Sequence, residues 1–315
     1  MTLSRPVRVG LVVLLLAVVV APAAVVLLDD NADAGTQALR VGRVPSDVVV
    51  DGNTVWVVSG RDDRIVTIDA GRPDTVAARY ETGAAPLRVA AGSGSVWTAN
   101  AADGSVTRVD PLVPDAGGRR IPIGSDAVDV AVGPDGAWVS NGLAGTVRRI
   151  DTVSNRVVGN PIRTGNFPTA LALGANHLWV VNSGDGTVAR VDPRENLVVG
   201  RRIPVGRDPQ DVAVAFGTVW VANRGDGTIT RISAVTGRPI GEPIRVGGAP
   251  GALAATRDSL LILDTREGHV LELRPDAARA RRVSRVPGFP ASIAVGAGAA
   301  WIVDARNGTV TRLAG

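Results

Sequence analysis

Residues 177–192, HLWVVNSGDGTVARVD, hold a short apolar run, a polar turn containing Asp185-Gly186, and a second apolar run. Copies of this stretch fill the chain. Tryptophan shows the register: Trp56, Trp97, Trp138, Trp179 and Trp220 recur every 41 residues, Leu261 holds the sixth slot, and Trp301 follows after 40. A period near 40 with no helical pattern marks a radial or solenoidal repeat, because one such unit cannot bury its apolar surface alone.

Each copy reads as four strands. Strand a follows a turn ending in proline, as in residues 205–214 (VGRDPQDVAV), where alternation puts Val212 and Val214 on one face and Ala213 on the other. The slot of Ala213 stays small or β-branched through Val49, Ala90, Ala131, Ala172, Ala254 and Ala294. Small side chains suit an innermost strand where sheets converge on an axis. Strand b carries the tryptophan. A turn follows, with Asp103-Gly104, Asp185-Gly186 and Asp226-Gly227 as hairpin signals, since these residues tolerate positive φ. Strand c is TVARVD and its equivalents, and strand d is RRIPVG (residues 201–206) and its equivalents, whose prolines and arginines mark an edge that should not pair further.

Seven such units predict an all-β, seven-bladed β-propeller with four antiparallel strands per blade. A solenoid is the alternative, but the termini favour a ring. The repeat begins with a lone d-type strand (residues 38–42) and ends with a lone c-type strand (residues 308–313), so the N-terminal strand should complete the last blade. The expected organisation is a leader over 1–28, a linker over 29–37 and the propeller over 38–315.

The leader has Arg5 and Arg8, then twenty uncharged residues, 9–28, then Asp29 and Asp30. That length spans a bilayer, and the flanking charges place the N-terminus inside and the propeller outside. The reading is a signal-anchor or transmembrane helix, with the domain on the cell membrane beyond the cytoplasm. The alternative is a signal peptide cleaved near Ala21-Pro22-Ala23, which would release a secreted domain.

Of the 315 residues, 45% are hydrophobic, and there is no cysteine and hence no disulfide framework. The charge of +4 rests on arginines alone, since lysine is absent, and is too small an excess to indicate nucleic acid. No dinucleotide or phosphate-loop pattern occurs.

Over residues 179–214 the repeat resembles the YVTN-type propellers of prokaryotic envelope proteins, and the whole of 38–315 is similar to the streptogramin (virginiamycin B) lyase family of seven-bladed propellers. The resemblance implies the fold. The lyase comparison further implies a histidine after the strand a proline and a glutamate ending strand b, serving an elimination that uses magnesium. Here the first position holds Ser46, Leu87, Val128, Thr169, Gln210, Gly251 and Ala291, and the second holds Ser59, Asn100, Asn141, Asn182, Asn223, Asp264 and Asp304. Neither motif is present, so no catalytic residue is carried over.

Residues that repeat in most blades serve the blade. The asparagines at 100, 141, 182 and 223 are expected to cap the b to c turn. Arg108, Arg149, Arg190, Arg231 and Arg312 share one slot of strand c and are expected to pair with Asp110, Asp151 and Asp192 two residues on, or with an adjacent blade. His177 and His269 fall at opposite ends of different blades and make no dyad. Arg279, Arg281, Arg282 and Arg285 cluster at an outer edge as edge protection.

Function is sought where the repeat breaks. Asp47, Arg88, Asp129 and Asp211 share a slot near the channel mouth, filled elsewhere by Ala170, Ala252 and Ser292. Three carboxylates there suit a hard cation such as magnesium or calcium, or pair instead with Arg88 and rim amides. Loop residues Asp126, Asn166, Phe167, Arg207, Asp208 and Phe289 complete a candidate binding surface on the top face. The leading expectation is a binding or scaffold module with no cofactor, a monomeric domain taking an envelope protein or small ligand on that face. The rival is a divalent-metal-dependent, lyase-like enzyme at the mouth.

Overall fold

The computed structural model describes residues 37–113 and 117–314. The expected leader and most of the linker lie outside the described residues; Gln37 already belongs to the first strand.

The tryptophans lie at the centre of the blades. Trp97, Trp138, Trp179, Trp220 and Trp301 are 0–1% exposed, Trp56 is 3% exposed, and Leu261 takes the same place at 1%. Each packs within an apolar cluster that draws on two neighbouring blades, as Trp179 does with Val212, Val219 and Val221. Deleting one such indole would cost about 3–5 kcal/mol.

Seven antiparallel sheets result. Blade 1 comprises Pro45–Asp51, Thr54–Ser59, Arg64–Asp69 and Val76–Glu81 as strands a to d. In blade 4, strand d is split into Leu197–Val198 and Ile203–Pro204, both paired with Thr187–Asp192. The seventh sheet joins the ends of the repeat: Gln37–Arg40 pairs with Thr309–Ala314, Leu39 facing Val310. The N-terminal strand is thus the outer strand of the last blade, and the ring closes by hydrogen bonding between the first and last blade segments.

Strands a are innermost and pack against one another around the ring. Their small residues make this approach possible. A Cβ on Gly92, Gly133, Gly174 or Gly296 would run into Val132, Leu173, Val214 or Val50 of the next blade. Among the described residues no helix is long and apolar enough to cross a membrane.

The loops divide between two ends. The d to a loops and b to c turns form the top face, and the a to b and c to d turns form the bottom.

Candidate functional site

Every strand a is irregular near its start. The pairing register shifts between Pro45 and Asp47, between Pro86 and Arg88, between Ala127 and Val130, and between Pro209 and Asp211, with matching shifts in the other three blades. A bulge re-aims a side chain without ending the ladder. Here it sits beside the slot that the sequence singles out.

The slot residues come together around Arg88. Its Nη1 lies 3.6 Å from Asp47 Oδ1, and 24% of its side-chain surface remains exposed. Burial pushes the guanidinium down, but the charges of Asp47, Asp129 and Asp211 more than reverse this and hold it above its ordinary value. Burial raises the Asp129 carboxyl to about 7; Arg88 pulls it back, while the charge of Asp47 adds to the rise. Burial likewise raises Asp211 to about 6 against the pull of Arg88.

The carboxylates bind the ring together. Asp47 Oδ2 accepts the Val89 amide at 2.8 Å, and its Oδ1 accepts the Ser292 hydroxyl at 2.6 Å. Asp129 accepts the amides of Val130 (2.8 Å) and Leu171 (2.7 Å). Asp211 accepts those of Val212 (2.8 Å) and Leu253 (2.7 Å). All six carboxylate oxygens are therefore engaged, and the positive charge among them is a guanidinium. A divalent cation needs several free oxygen donors converging on one point. The slot as arranged does not fit one.

The remaining top-face residues separate into two groups. Asp126, Arg207, Asp208 and Asn166 are tied into the rim. Asp126 Oδ2 accepts the Leu143 amide at 2.6 Å, Arg207 pairs with Asp226 at 2.6 Å, Asp208 pairs with Arg224 at 2.8 Å, and the main-chain N–H of Asn166 donates to Asp185 at 3.1 Å. Phe167 and Phe289 are held outward, 43% and 48% exposed. Phe167 adopts φ +53°, its carbonyl accepting the Ser183 amide at 3.0 Å, and it lies over the Gly142 turn beside the exposed Leu143. Phe289 carries the Arg306 guanidinium over its ring, 3.8 Å from the centroid.

One expectation resolves to its alternative and another needs correction. Among the described residues no strand c arginine makes a close ion pair with the aspartate two residues on, although, after the hydrogen bonds from Ser154, the charge of Arg149 helps to lower the Asp151 carboxyl. Arg108, Arg149 and Arg312 lie over Trp97, Trp138 and Trp301, 5.1, 5.7 and 5.9 Å from the ring centroids, because strands b and c set each arginine directly opposite its tryptophan. Arg108 also donates across to Thr152 O (2.6 Å) and Asn155 Oδ1 (2.8 Å) of the next blade. The asparagines do not cap their turns. Asn100 and Asn223 donate to hydroxyls of strand c, while Asn141 and Asn182 donate to carbonyls of the d to a loop, Ser125 and Thr164. Turn capping falls instead to Asp264 and Asp304, each accepting three main-chain amides at Oδ1.

The histidines stand apart, as expected. His177 Nδ1 meets Ala175 O at 2.8 Å in an a to b turn, and His269 Nδ1 lies 3.2 Å from Glu267 in a b to c turn. Sequence reasoning missed that His269, Glu267 and Asp264 gather within 4.8 Å of one another. Asp264 is there as a turn cap, the role Asp304 fills in blade 7. In the arginine cluster, Arg281 pairs with Glu272 at 2.6 Å, and Arg282 and Arg285 are exposed on the outer strand.

Fold and slot together define a seven-bladed β-propeller with an acidic, arginine-centred channel mouth. No family model and no curated protein sequence matches the chain. Among solved structures it is similar to virginiamycin B lyase from Staphylococcus aureus, with TM-score 0.77 and 14% identity, covering 88% of this chain and 98% of that one. A catalytically inactive variant of that lyase, solved with quinupristin, gives TM-score 0.77 and 16% identity over 88% and 98% of the two chains. Kuenenia stuttgartiensis hydrazine synthase gives 0.75 and 18% over 86% and 96%. The chain therefore has the streptogramin lyase-like propeller fold. At these identities the likeness is one of fold.

Proposed function

We propose that this chain is an extracytoplasmic binding module, held to the cell membrane by residues 9–28, whose ligand seats on the top face. One observation carries the reading: Asp126, Arg207 and Asp208 are engaged with rim amides or rim charges, whereas Phe167 and Phe289, with Leu143 beside the first, are presented outward. Exposed aromatic anchors with a polar rim are the anatomy of a recognition surface. An envelope protein or a small ligand with an apolar or aromatic face fits it. Photo-crosslinking from positions 167 and 289 in native membranes tests this. A discrete adduct from a crosslinker at one of these positions, weakened when the other phenylalanine is alanine, supports the module; adducts no different from those at the edge position 282 refute it.

The rival, a metal-dependent enzyme at the same mouth, draws on one specific feature, the carboxyl of Asp129 raised to about 7, near where a general base operates. The binding reading takes no divalent ion there. Calorimetric titration of the chelator-treated protein with magnesium and calcium separates the two. Saturable binding that disappears in Asp129→Ala would favour the enzyme.

A further inference from the structure

The turns joining strands c and d carry apolar side chains that the fold leaves bare. Two residues past Asp110, Asp151 and Ser233, in blades 2, 3 and 5, stand Leu112, Val153 and Val235, which are 88%, 90% and 79% exposed. The turn chemistry accounts for this exposure. Asp110 accepts the Leu112 amide at 2.9 Å, Asp151 accepts those of Val153 (3.2 Å) and Ser154 (2.6 Å), and the Ser233 hydroxyl accepts the Thr236 amide at 3.2 Å. The polar side chain folds back into the turn and the tip residue is thrown outward. Single exposed apolar residues are ordinary. Three in one slot, all at the same end of the ring, are less so, and Phe216 of an a to b turn shares that end at 38% exposure.

The chain also enters at this end. Gln37 lies opposite Arg312, two residues from the bottom of the last strand c, and the strand then climbs to Arg40 opposite Thr309. Gln37, the first described residue, therefore stands at the bottom end of the ring. Between the uncharged run ending at Leu28 and Gln37 are eight residues, 29–36, which reach at most about 28 Å when extended.

We propose that the bottom face is a lipid-contacting surface, in which Leu112, Val153 and Val235 enter the boundary between headgroups and acyl chains. This rests on the membrane-anchor reading of residues 9–28. With the tether at blade 7 and the apolar tips on blades 2, 3 and 5, the contacts are spread around the ring, so the propeller lies parallel to the membrane with its channel mouth facing away. Each tip is a weak contact alone, but the tether makes all three intramolecular. Charged residues of both signs flank them, among them Asp69, Arg72, Asp135, Arg194 and Asp258. The contact is therefore apolar insertion rather than attraction to anionic lipid, and vesicles of phosphatidylcholine suffice to show it.

The chain has no cysteine of its own, so single labelling sites are available. Leu112→Cys, Val153→Cys and Val235→Cys, with Leu143→Cys as the top-face control, are each labelled with an environment-sensitive dye in the full chain and reconstituted. Flotation after carbonate extraction is read first. The expected result is a floating chain whose three bottom labels shift to the blue and are quenched by shallow doxyl lipid, while the Leu143→Cys label is quenched by aqueous iodide. A floating chain whose bottom labels behave like that control overturns the inference and leaves the anchor standing. Bottom labels shielded from iodide but untouched by doxyl lipid would place a second copy of the chain on this face and also overturn it. A chain that does not float overturns both readings.

Discussion

Asp129 reaches out of its own blade: its Oδ2 accepts the main-chain amide of Leu171, 42 residues further on, at 2.7 Å. Asp47 with Val89 and Asp211 with Leu253 repeat the contact, joining blades 1 to 2, 3 to 4 and 5 to 6. Ser292 donates to Asp47 and joins blade 7 to blade 1. Removing such an acceptor leaves a main-chain N–H at the inner strands without its partner, at a cost of about 1–3 kcal/mol. Asp129→Ala is expected to lower stability by that amount in urea unfolding. Asp129→Asn, which keeps one acceptor oxygen, should cost less. If the alanine variant is as stable as the parent, the aspartate is no staple.

The same carboxyls give stability a pH dependence of unusual sign. An unfolded aspartate titrates near 3.9, at about the usual value, whereas in the ring Asp129 titrates at about 7 and Asp211 at about 6. Between these limits the folded state holds protons that the unfolded chain has released. Stability must then fall as pH rises. The contribution is full below the unfolded value and is lost as pH climbs through 6 and 7. Thermal or urea midpoints from pH 4.5 to 7.5 should decline for the parent and decline less for Asp129→Asn. A flat profile in the parent would contradict the titration assigned to the slot.

Arg88 is the only cation in this slot, and Asp47, Asp129 and Asp211 all act on it. Replacing it with an apolar isostere leaves buried carboxylates without a counter-charge, a loss of about 3–5 kcal/mol when one partner of a buried pair is removed. Arg88→Met should therefore be strongly destabilised at pH 7.5. At pH 5, where Asp129 and Asp211 take up protons, the penalty should shrink. Arg88→Lys, which keeps the charge but loses the planar fork, should fall between. A penalty independent of pH would mean that Arg88 acts through packing alone.

The ring was legible in the sequence because its information is local and periodic. The tryptophan register located strand b, the proline before strand a located the loop, and the unpaired strand at each terminus foretold closure by Gln37–Arg40. The site was less legible because it depends on relations between blades. That Asp129 and Arg88 meet follows from how closely inner strands converge and from the bulge at each strand start, and neither leaves a mark in the period. For Arg108 the adjacent blade, one of the two expected partners, is the one that it bonds; what went unread is the stacking that arises because the pairing of strands b and c sets Arg108 opposite Trp97. A cross-strand reading of the same residues would have found it. The asparagines misled similarly: Asn100 bonds to Ser105 and Thr107 on the neighbouring strand, not to the turn between them.

Ring closure should be testable by deletion. Without residues 37–40 the last strand c would expose a bare edge, and Leu39 would leave the cluster formed by blades 7 and 1. Such an edge invites pairing with another chain. The shortened protein is expected to lose cooperative unfolding or to associate by light scattering, whereas a monomer of parental stability would show that the outer strand is dispensable.

Gly288 and Gly298 separate two reasons for glycine in the same blade. Both have positive φ, +102° and +73°. A Cβ at Gly298 would meet nothing within 4 Å, so Gly298→Ala carries only the left-handed backbone penalty, about 1–2 kcal/mol. A Cβ at Gly288 would land on the Asp304 carboxylate and the Asn307 amide. Asp304 cannot give way freely, since its Oδ1 holds the amides of Phe289, Arg306 and Asn307. Gly288→Ala should therefore be the more destabilising of the two in parallel urea titrations. Because Phe289 is the next residue, the variant should also weaken any ligand contact made through that ring, a loss Gly298→Ala should not show. Equal stability of the two variants would mean that the Asp304 cap yields without cost, and the rigidity ascribed to this part of the rim would have to be given up.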